Sequence, residues 1–399
     1  MPFRMSLTAV VLAGGQGTRL RPFTLHRPKP LMPVANKPVV DYVLDLLELS
    51  GVVERVYVLL DYMGDVLEDH LKRERRAIDV VPMTFKALDT ADAVRRIRHL
   101  LDGDFLVVMG DIVTNCDVSA LWSAHRERGA IATIALKDVE NPGHYGLAVL
   151  SRDGRVCSFV EKPRSYELYV VSLAMHAARA KCSYANMVNM GVYALSYRVL
   201  DVLDDNPHLL DFGRHVFPYL VEEGYPVYGW YAEGCYWLDV GTPQTYHQAN
   251  ADVLDGLSAP LRPSGLNSSG VWMEAVKELA GDVRPPSALG QEAAVRASAR
   301  LGPYAVVGRG AVVEEGARVV NSVIMEGAVV GRGATVVDSI VGSGAEIGEG
   351  ARVVRSLVED GAVVPANANL AGALVLLERA LLLEAVERPS AGRARATTA

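Results

Sequence analysis

The feature that most constrains how this chain can fold is a repeat near its end. From Leu289 the sequence parses as LGQEAA, VRASAR, LGPYAV, VGRGAV, VEEGAR, VVNSV, IMEGAV, VGRGAT, VVDSI, VGSGAE, IGEGAR, VVRSL and VEDGAV. From Val307 the units settle into six, six and five residues, so Val307, Ile324, Val341 and Val358 fall 17 residues apart. An aliphatic residue opens each unit, and a small residue often stands four places later. Units this short cannot bury their own apolar side chains and must stack on their neighbours. A Val-rich sandwich is the competing architecture, but it imposes no common register on so many consecutive units. The pattern predicts a left-handed parallel β-helix over residues 289–370. Residues 371–399 form a C-terminal segment whose end, PSAGRARATTA, is expected to be disordered.

The front of the chain follows a different rule. Thr8–Leu12, Val52–Leu60, Ile78–Phe85, Phe105–Met109 and Ile131–Leu136 read as buried strands. Pro38–Leu49, Gly64–Arg73, Ala91–Leu101 and Val118–Arg128 read as the helices between them. This alternation predicts an α/β domain over residues 1–250, with a Rossmann-like, mostly parallel sheet covered on both faces. Ligands of such sheets sit at the carboxyl ends of the strands, so the loops after Leu12 and Met109 are where chemistry is expected. Residues 251–288 carry Pro, Ser and Gly clusters and read as a linker, with one short helix around Met273–Ala280.

Composition narrows the classes. A net charge of −7 argues against a general nucleic-acid binder. The cysteines Cys116, Cys157, Cys182 and Cys235 are far apart with no metal spacing, which points to a reducing, cytoplasmic setting. No uncharged run reaches transmembrane length, so no membrane association is expected.

Four local features carry possible chemistry. In TAVVLAGGQGTRLRPFTLHRPKP (8–30) a strand ends in Gly14-Gly15-Gln16-Gly17, followed by Arg19 and by Lys29 between two prolines. This is neither a Walker A loop nor a GxGxxG fingerprint. Its glycines let backbone N–H groups approach phosphate oxygens, and Arg19 adds a charge-assisted fork. Alone, the loop reads equally well as a tight turn; the rigidly presented Lys29 favours a polyphosphate. In VVMGD, Asp111 follows a buried strand, where a carboxylate can hold Mg2+ or simply form a turn. Glu161-Lys162 taken alone is a solvated pair. In YWLDVGTPQTY, Asp239 precedes Gly241-Thr242-Pro243, which has the form of a helix N-cap.

Taken in this order, LAGGQGTRLRPFT, RPKPLMPVANKP, VMGD, HYGLAVL, VEKP, NMGVY and YWLDVGTP resemble the sugar-1-phosphate nucleotidylyltransferases, whose catalytic domain has the nucleotide-diphospho-sugar transferase fold. The resemblance spans residues 7–255, and the repeat extends it toward mannose-1-phosphate guanylyltransferase-like members. It implies an enzyme of the EC 2.7.7 class that joins an NTP and a sugar 1-phosphate into an NDP-sugar, releasing pyrophosphate. By that analogy Leu12, Gly14, Gly15, Gly17, Thr18, Thr90 and Asp92 contact the nucleotide, with Arg19 and Lys29 on its phosphates. Asp111 and Asp239 would bind Mg2+, and Lys162 would grip the sugar phosphate. Gly146, Glu161 and Asn189 would face the sugar. GDP-mannose synthesis is the first expectation, and adenylyl, uridylyl or thymidylyl transfer to glucose 1-phosphate the alternative.

Two departures stand out. Where relatives read LGTAG, this chain reads LDTADA, with Asp89 in place of a glycine near the base. Asp89 is expected to cap the helix that follows, while Asp92 stays open. Between Lys162 and Asn189 lies a long insert, RSYELYVVSLAMHAARAKCSYANMV, which could form a helix beside the sugar pocket or an oligomer contact. Two rival functions are weighed as well. An acetyltransferase β-helix is similar to others in using a histidine base, and no histidine follows His247. A non-catalytic regulatory subunit tends to lose the arginine, lysine and aspartate set that is intact here. The β-helix is then expected to serve homo-oligomerisation.

Overall fold

The computed structural model describes residues 7–165, 167 and 182–377. Most of the insert between Lys162 and Asn189 and the segment after Leu377 lie outside the described residues. The chain divides into two compact units, the first ending at Pro263 and the second starting at Ser264.

The first unit is built on one sheet. The strands Phe105–Met109, Leu7–Leu12, Val53–Leu60 and Asp79–Thr84 lie side by side, all parallel. Ala9, Val10 and Val11 in the central strand are fully buried, as expected of a strand covered on both faces. The helices Val39–Leu49, Gly64–Arg73, Thr90–Arg96 and Val118–Arg128 fill the connections. The other half of the sheet is mixed. The long strand Cys182–Leu195 runs antiparallel to Phe105–Met109, to Gly146–Ser151 and to Ala132–Asp138. Ala132–Asp138 in turn pairs parallel with Val227–Tyr231.

One buried polar pair inside this unit has a thermodynamic consequence. His125 Nδ1 lies 2.9 Å from the Thr133 hydroxyl, and both residues are buried. Burial pushes the imidazole pKa down to about 4 from 6.5. The unfolded chain therefore takes a proton that the folded chain refuses. The resulting stability is complete above pH 6.5 and is lost as pH falls toward 4. The expected size is about 3 kcal/mol. Urea melts at several pH values should show a shallower acid limb for His125→Gln than for the parent; equal slopes would refute the assignment.

The second unit is a prism of three sheets, parallel throughout except for the antiparallel first strand Leu266–Ser268. The register pairs Val307 with Ile324, Ile324 with Val341, and Val341 with Val358. All four side chains are fully buried, and Ala311, Ala328, Ala345 and Ala362, four residues further on, pack inside with them. The shortened five-residue unit has a local solution. Asn321, Asp338 and Arg355 adopt positive φ, and buried Ser322, Ser339 and Ser356 follow them. Each serine hydroxyl donates to the carbonyl two residues back, at 2.7 to 2.8 Å. It also accepts the N–H of the equivalent position one coil further on, as Ser339 does from Ser356 at 3.0 Å. Ser339→Ala leaves that buried N–H without a partner and is expected to cost about 1–3 kcal/mol in denaturant melts of the intact chain. A change below a few tenths would mean the ladder adds nothing.

The β-helix starts earlier than the repeat suggested, which corrects the expectation of a linker over 251–288. The helix Pro243–Leu254 crosses the first of these residues. Val271–Met273 pairs with Ser287–Leu289, and Glu278–Leu279 pairs with Ala294–Val295, so both belong to the prism. The helix expected around Met273–Ala280 is replaced by strand. MEAVKELA is rich in helix formers, but here the ladder to the next coil outweighs local propensity.

Candidate active site

The parallel register sets the site. Leu12 lies between Leu59 and Met109, so the loops after these strands emerge together. Ala13 donates to the Leu59 carbonyl and Gly110 to the Leu12 carbonyl, each at 2.9 Å. A Cβ on Gly110 would sit 3.0 Å from the Leu12 oxygen, so a glycine is needed where the loops touch. The site's second carboxylate arrives by a short antiparallel ribbon. Trp237–Asp239 pairs with Ile112–Thr114, and Val240 donates to the Asp111 carbonyl at 3.0 Å. Residues far apart in sequence thus meet at one point.

Two cavities open there. The first, of about 450 Å³, is lined by Leu12, Gly14, Gly15, Lys29, Asp61, Tyr62, Phe85, Asp89 and Thr90 among others. The second, of about 200 Å³, is lined by Arg19, Tyr145, Gly146, Glu161, Lys162, Asn189, Asp211, Trp237 and Asp239 among others. Thr90, Met109 and Asp111 line both, which makes them the junction.

Charge is concentrated at that junction. The Lys29 ammonium contacts Asp111 Oδ2 at 2.5 Å and Asp239 Oδ1 at 3.1 Å. Arg19 Nη2 reaches the other Asp239 oxygen at 3.2 Å. Lys29 is only 6% exposed. Burial works to lower its pKa, but the two carboxylates outweigh that and raise it, so it carries its charge. Gly17 adopts φ +62°, and a Cβ there would stand 3.0 Å from the Lys29 Cβ, so the glycine loop packs directly on the lysine stem.

The second cavity has an acidic floor. Cβ atoms on Gly146 or Gly213 would each come within 2.6 Å of Glu161 Oε2, so both glycines make room for that carboxylate. Burial pushes the Glu161 pKa up against the pull of Lys162, whose ammonium lies 3.4 Å away. Asn189 opens a bulge in the long strand. Its side-chain oxygen accepts from Gly191 N and its amide donates to the Tyr193 hydroxyl, both at 2.8 Å. The fit to a metal follows from the donor set. Two carboxylates at a point already holding an ammonium suit a hard divalent cation that takes its remaining ligands from phosphate oxygens. Among the described residues no group of three or more His, Cys, Asp or Glu side chains could hold a metal alone.

The expected site residues therefore divide. Leu12, Gly14, Gly15, Thr90, Lys29, Arg19, Asp111, Asp239, Gly146, Glu161, Lys162 and Asn189 all line the cavities. Gly17 supports Lys29 from behind, and exposed Thr18 opens the short 3-10 turn beside it. Asp89 is the N-cap of Thr90–Arg96 and accepts from Thr90 N at 2.9 Å. Asp92 corrects the expectation of direct nucleotide contact. It is buried and lines neither cavity, and its carboxylate accepts from Leu88 N, Arg95 and Arg96. It shapes the Leu88–Thr90 loop instead. Asp211 was missed from sequence. Its carboxylate accepts from the Thr90 hydroxyl at 2.9 Å and from Arg214 N at 2.7 Å, tying the two cavities together. The signal was the N-cap form of DFGRHVFP, which reads as a turn when its partner Thr90 is unknown. Tyr145 and Trp237, packed edge to face at 5.1 Å, were missed because they lie far apart in sequence and nothing local pairs them.

Comparison with known proteins fits this geometry. The nucleotidyl transferase family model matches residues 8–256, and the GMPPB C-terminal domain model matches residues 283–387. A putative mannose-1-phosphate guanyltransferase of Sulfolobus acidocaldarius is 30% identical, over 80% of this chain and 76% of its own length. A UTP–glucose-1-phosphate uridylyltransferase of Synechocystis is 28% identical, over 80% of this chain and 82% of its own. A glucose-1-phosphate adenylyltransferase of Clostridium novyi is 30% identical, over 63% and 68%. The chain belongs to the nucleotidyl transferase family, as an enzyme of the sugar-1-phosphate nucleotidyltransferase class.

Proposed function

We propose that this enzyme makes an NDP-sugar from an NTP and a sugar 1-phosphate, with GTP and mannose 1-phosphate as its substrates. The carrying observation is that Asp111 belongs to both cavities, so a phosphorus atom beside it is reached from either side. The larger cavity takes the nucleotide, with the Gly14–Gly17 backbone on the triphosphate and Lys29 near the α-phosphate, while Arg19 reaches the phosphates from the smaller cavity that it lines. The smaller takes the sugar phosphate, gripped by Lys162, with Glu161, Asn189 and Gly146 facing sugar hydroxyls. A sugar phosphate oxygen bonds to the α-phosphorus as the bond to pyrophosphate breaks. The nucleophile is already ionised, so no general base is required, and positioning and charge neutralisation carry the rate. Asp111 and Asp239 would hold Mg2+, which supplies charge stabilisation to phosphate oxygens when bound.

Glucose 1-phosphate with ATP is the second reading, favoured by the Thr90-Ala91-Asp92-Ala93 run, which is similar to the GTADA of glucose-1-phosphate adenylyltransferases, and by the Clostridium relative. The test is pyrophosphate release from five NTPs crossed with several sugar 1-phosphates. GTP with mannose 1-phosphate should dominate. A larger rate for ATP, UTP or dTTP with glucose 1-phosphate would replace that pairing, and no release from any pair would overturn the reaction itself. The flat outer faces of the β-helix suit symmetric self-association in the cytoplasm. Light scattering at micromolar concentration should show an oligomer, and a monomer would refute this.

A further inference from the structure

We propose that Lys29 is a built-in competitor for the divalent cation, so that the metal enters this site together with the nucleotide and not before it. The inference rests on the reading of Asp111 and Asp239 as the cation ligands. Three observations lead to it. First, the ammonium contacts both carboxylates, at 2.5 and 3.1 Å, which places it where a bridging cation would sit. Second, Lys29 and Arg19 together balance the two carboxylates. A free divalent ion meets a neutral cluster rather than a doubly negative one, and loses most of the Coulomb attraction that would draw it in. It must also displace a buried ammonium that would be left without a partner, which is costly. Third, the lysine stem packs on Gly17 of the phosphate loop, and Lys29 lines the nucleotide cavity.

A triphosphate changes this balance. It brings several negative charges to the wall formed by the glycine loop and Lys29, and so offers the ammonium a second set of oxygens. As Lys29 turns to the phosphates, Asp111 and Asp239 lose their counter-ion and become a ligand pair for the divalent cation. Pro28 and Pro30 hold the backbone on either side, and Lys29–Leu31 forms a 3-10 turn, so the side chain moves while its anchor stays. Lys29 thus has a positioning role before it has any role on the reacting phosphate.

The test titrates Mn2+ alone into the full chain, without nucleotide, and reads free Mn2+ by electron paramagnetic resonance. The parent protein should bind weakly. Lys29→Met, of similar shape and without charge, should bind Mn2+ at least tenfold more tightly. Lys29→Arg, which keeps the charge, should stay at the parent level. Adding Asp111→Asn to Lys29→Met should abolish the gain, which ties it to this carboxylate pair. A rise in melting temperature on adding Mn2+, larger for Lys29→Met than for the parent, gives a second readout should Lys29→Met be less stable. Equal Mn2+ affinity in the parent and Lys29→Met, or a gain that survives Asp111→Asn, overturns the proposal. Neither readout involves turnover, so a failed substrate assignment would leave this result standing.

Discussion

Asp111→Asn and Asp239→Asn are each expected to lower kcat by about a thousandfold or more, the change that loss of several kcal/mol of transition-state stabilisation produces. The two side chains come from different loops yet converge on one lysine within 3.1 Å. The amide keeps the shape and removes the charge that a divalent cation between polyphosphate oxygens requires. The folded state should survive, since Lys29 keeps one carboxylate in either variant. Steady-state pyrophosphate release, with circular dichroism to verify folding, checks this. Activity within tenfold of the parent in either variant would remove that residue from the proposed cation-binding pair.

The second large effect is on stability, and it turns on a single step along the chain. Val336 is fully buried in the prism, while its neighbour Val337 is only partly covered. Strand side chains alternate between faces, so moving a charge by one residue carries it from core to surface. Val336→Asp places a carboxylate among Val319, Val353 and the stacked alanines, where the described residues offer no cation. A loss above about 4 kcal/mol is expected, enough to unfold neighbouring coils. Val337→Asp should cost less than about 1 kcal/mol. The two variants compared by calorimetry test the register directly, and similar melting temperatures would mean that the inward and outward assignments are wrong.

How much of this was legible in advance depended on the range of the interaction involved. The helix Val118–Arg128 could be bounded from sequence because local signals end it: Asp117 caps its start and Gly129 closes it in the left-handed conformation. The Thr242 cap was readable for the same reason, and the structure adds its reciprocal partner, Thr245. Met273–Ala280 was misread because its local preference is helical, while the Glu278–Ala294 and Leu279–Val295 pairs that decide it lie a full coil away. Asp92 was misplaced because in the family that the sequence resembles this loop lies near the base, which suggests a ligand contact for an acidic side chain. Its actual partners, Leu88 N, Arg95 and Arg96, are local but depend on how the side chain is turned.

The sequence by itself determined the two architectures and the roster of charged groups. Periodicity of 17 and strand–helix alternation are properties of the chain that survive without coordinates, because burial demands them of any fold this sequence adopts. Only the tertiary structure decided which charges meet. Arg19, Lys29, Asp111 and Asp239 span 220 positions, and nothing short-range links them. The parallel register at Leu12 and the ribbon at Asp239 bring them together. That convergence turned a glycine loop that could have been an ordinary turn into one wall of a two-part cleft, with a lysine poised between the carboxylates at its centre.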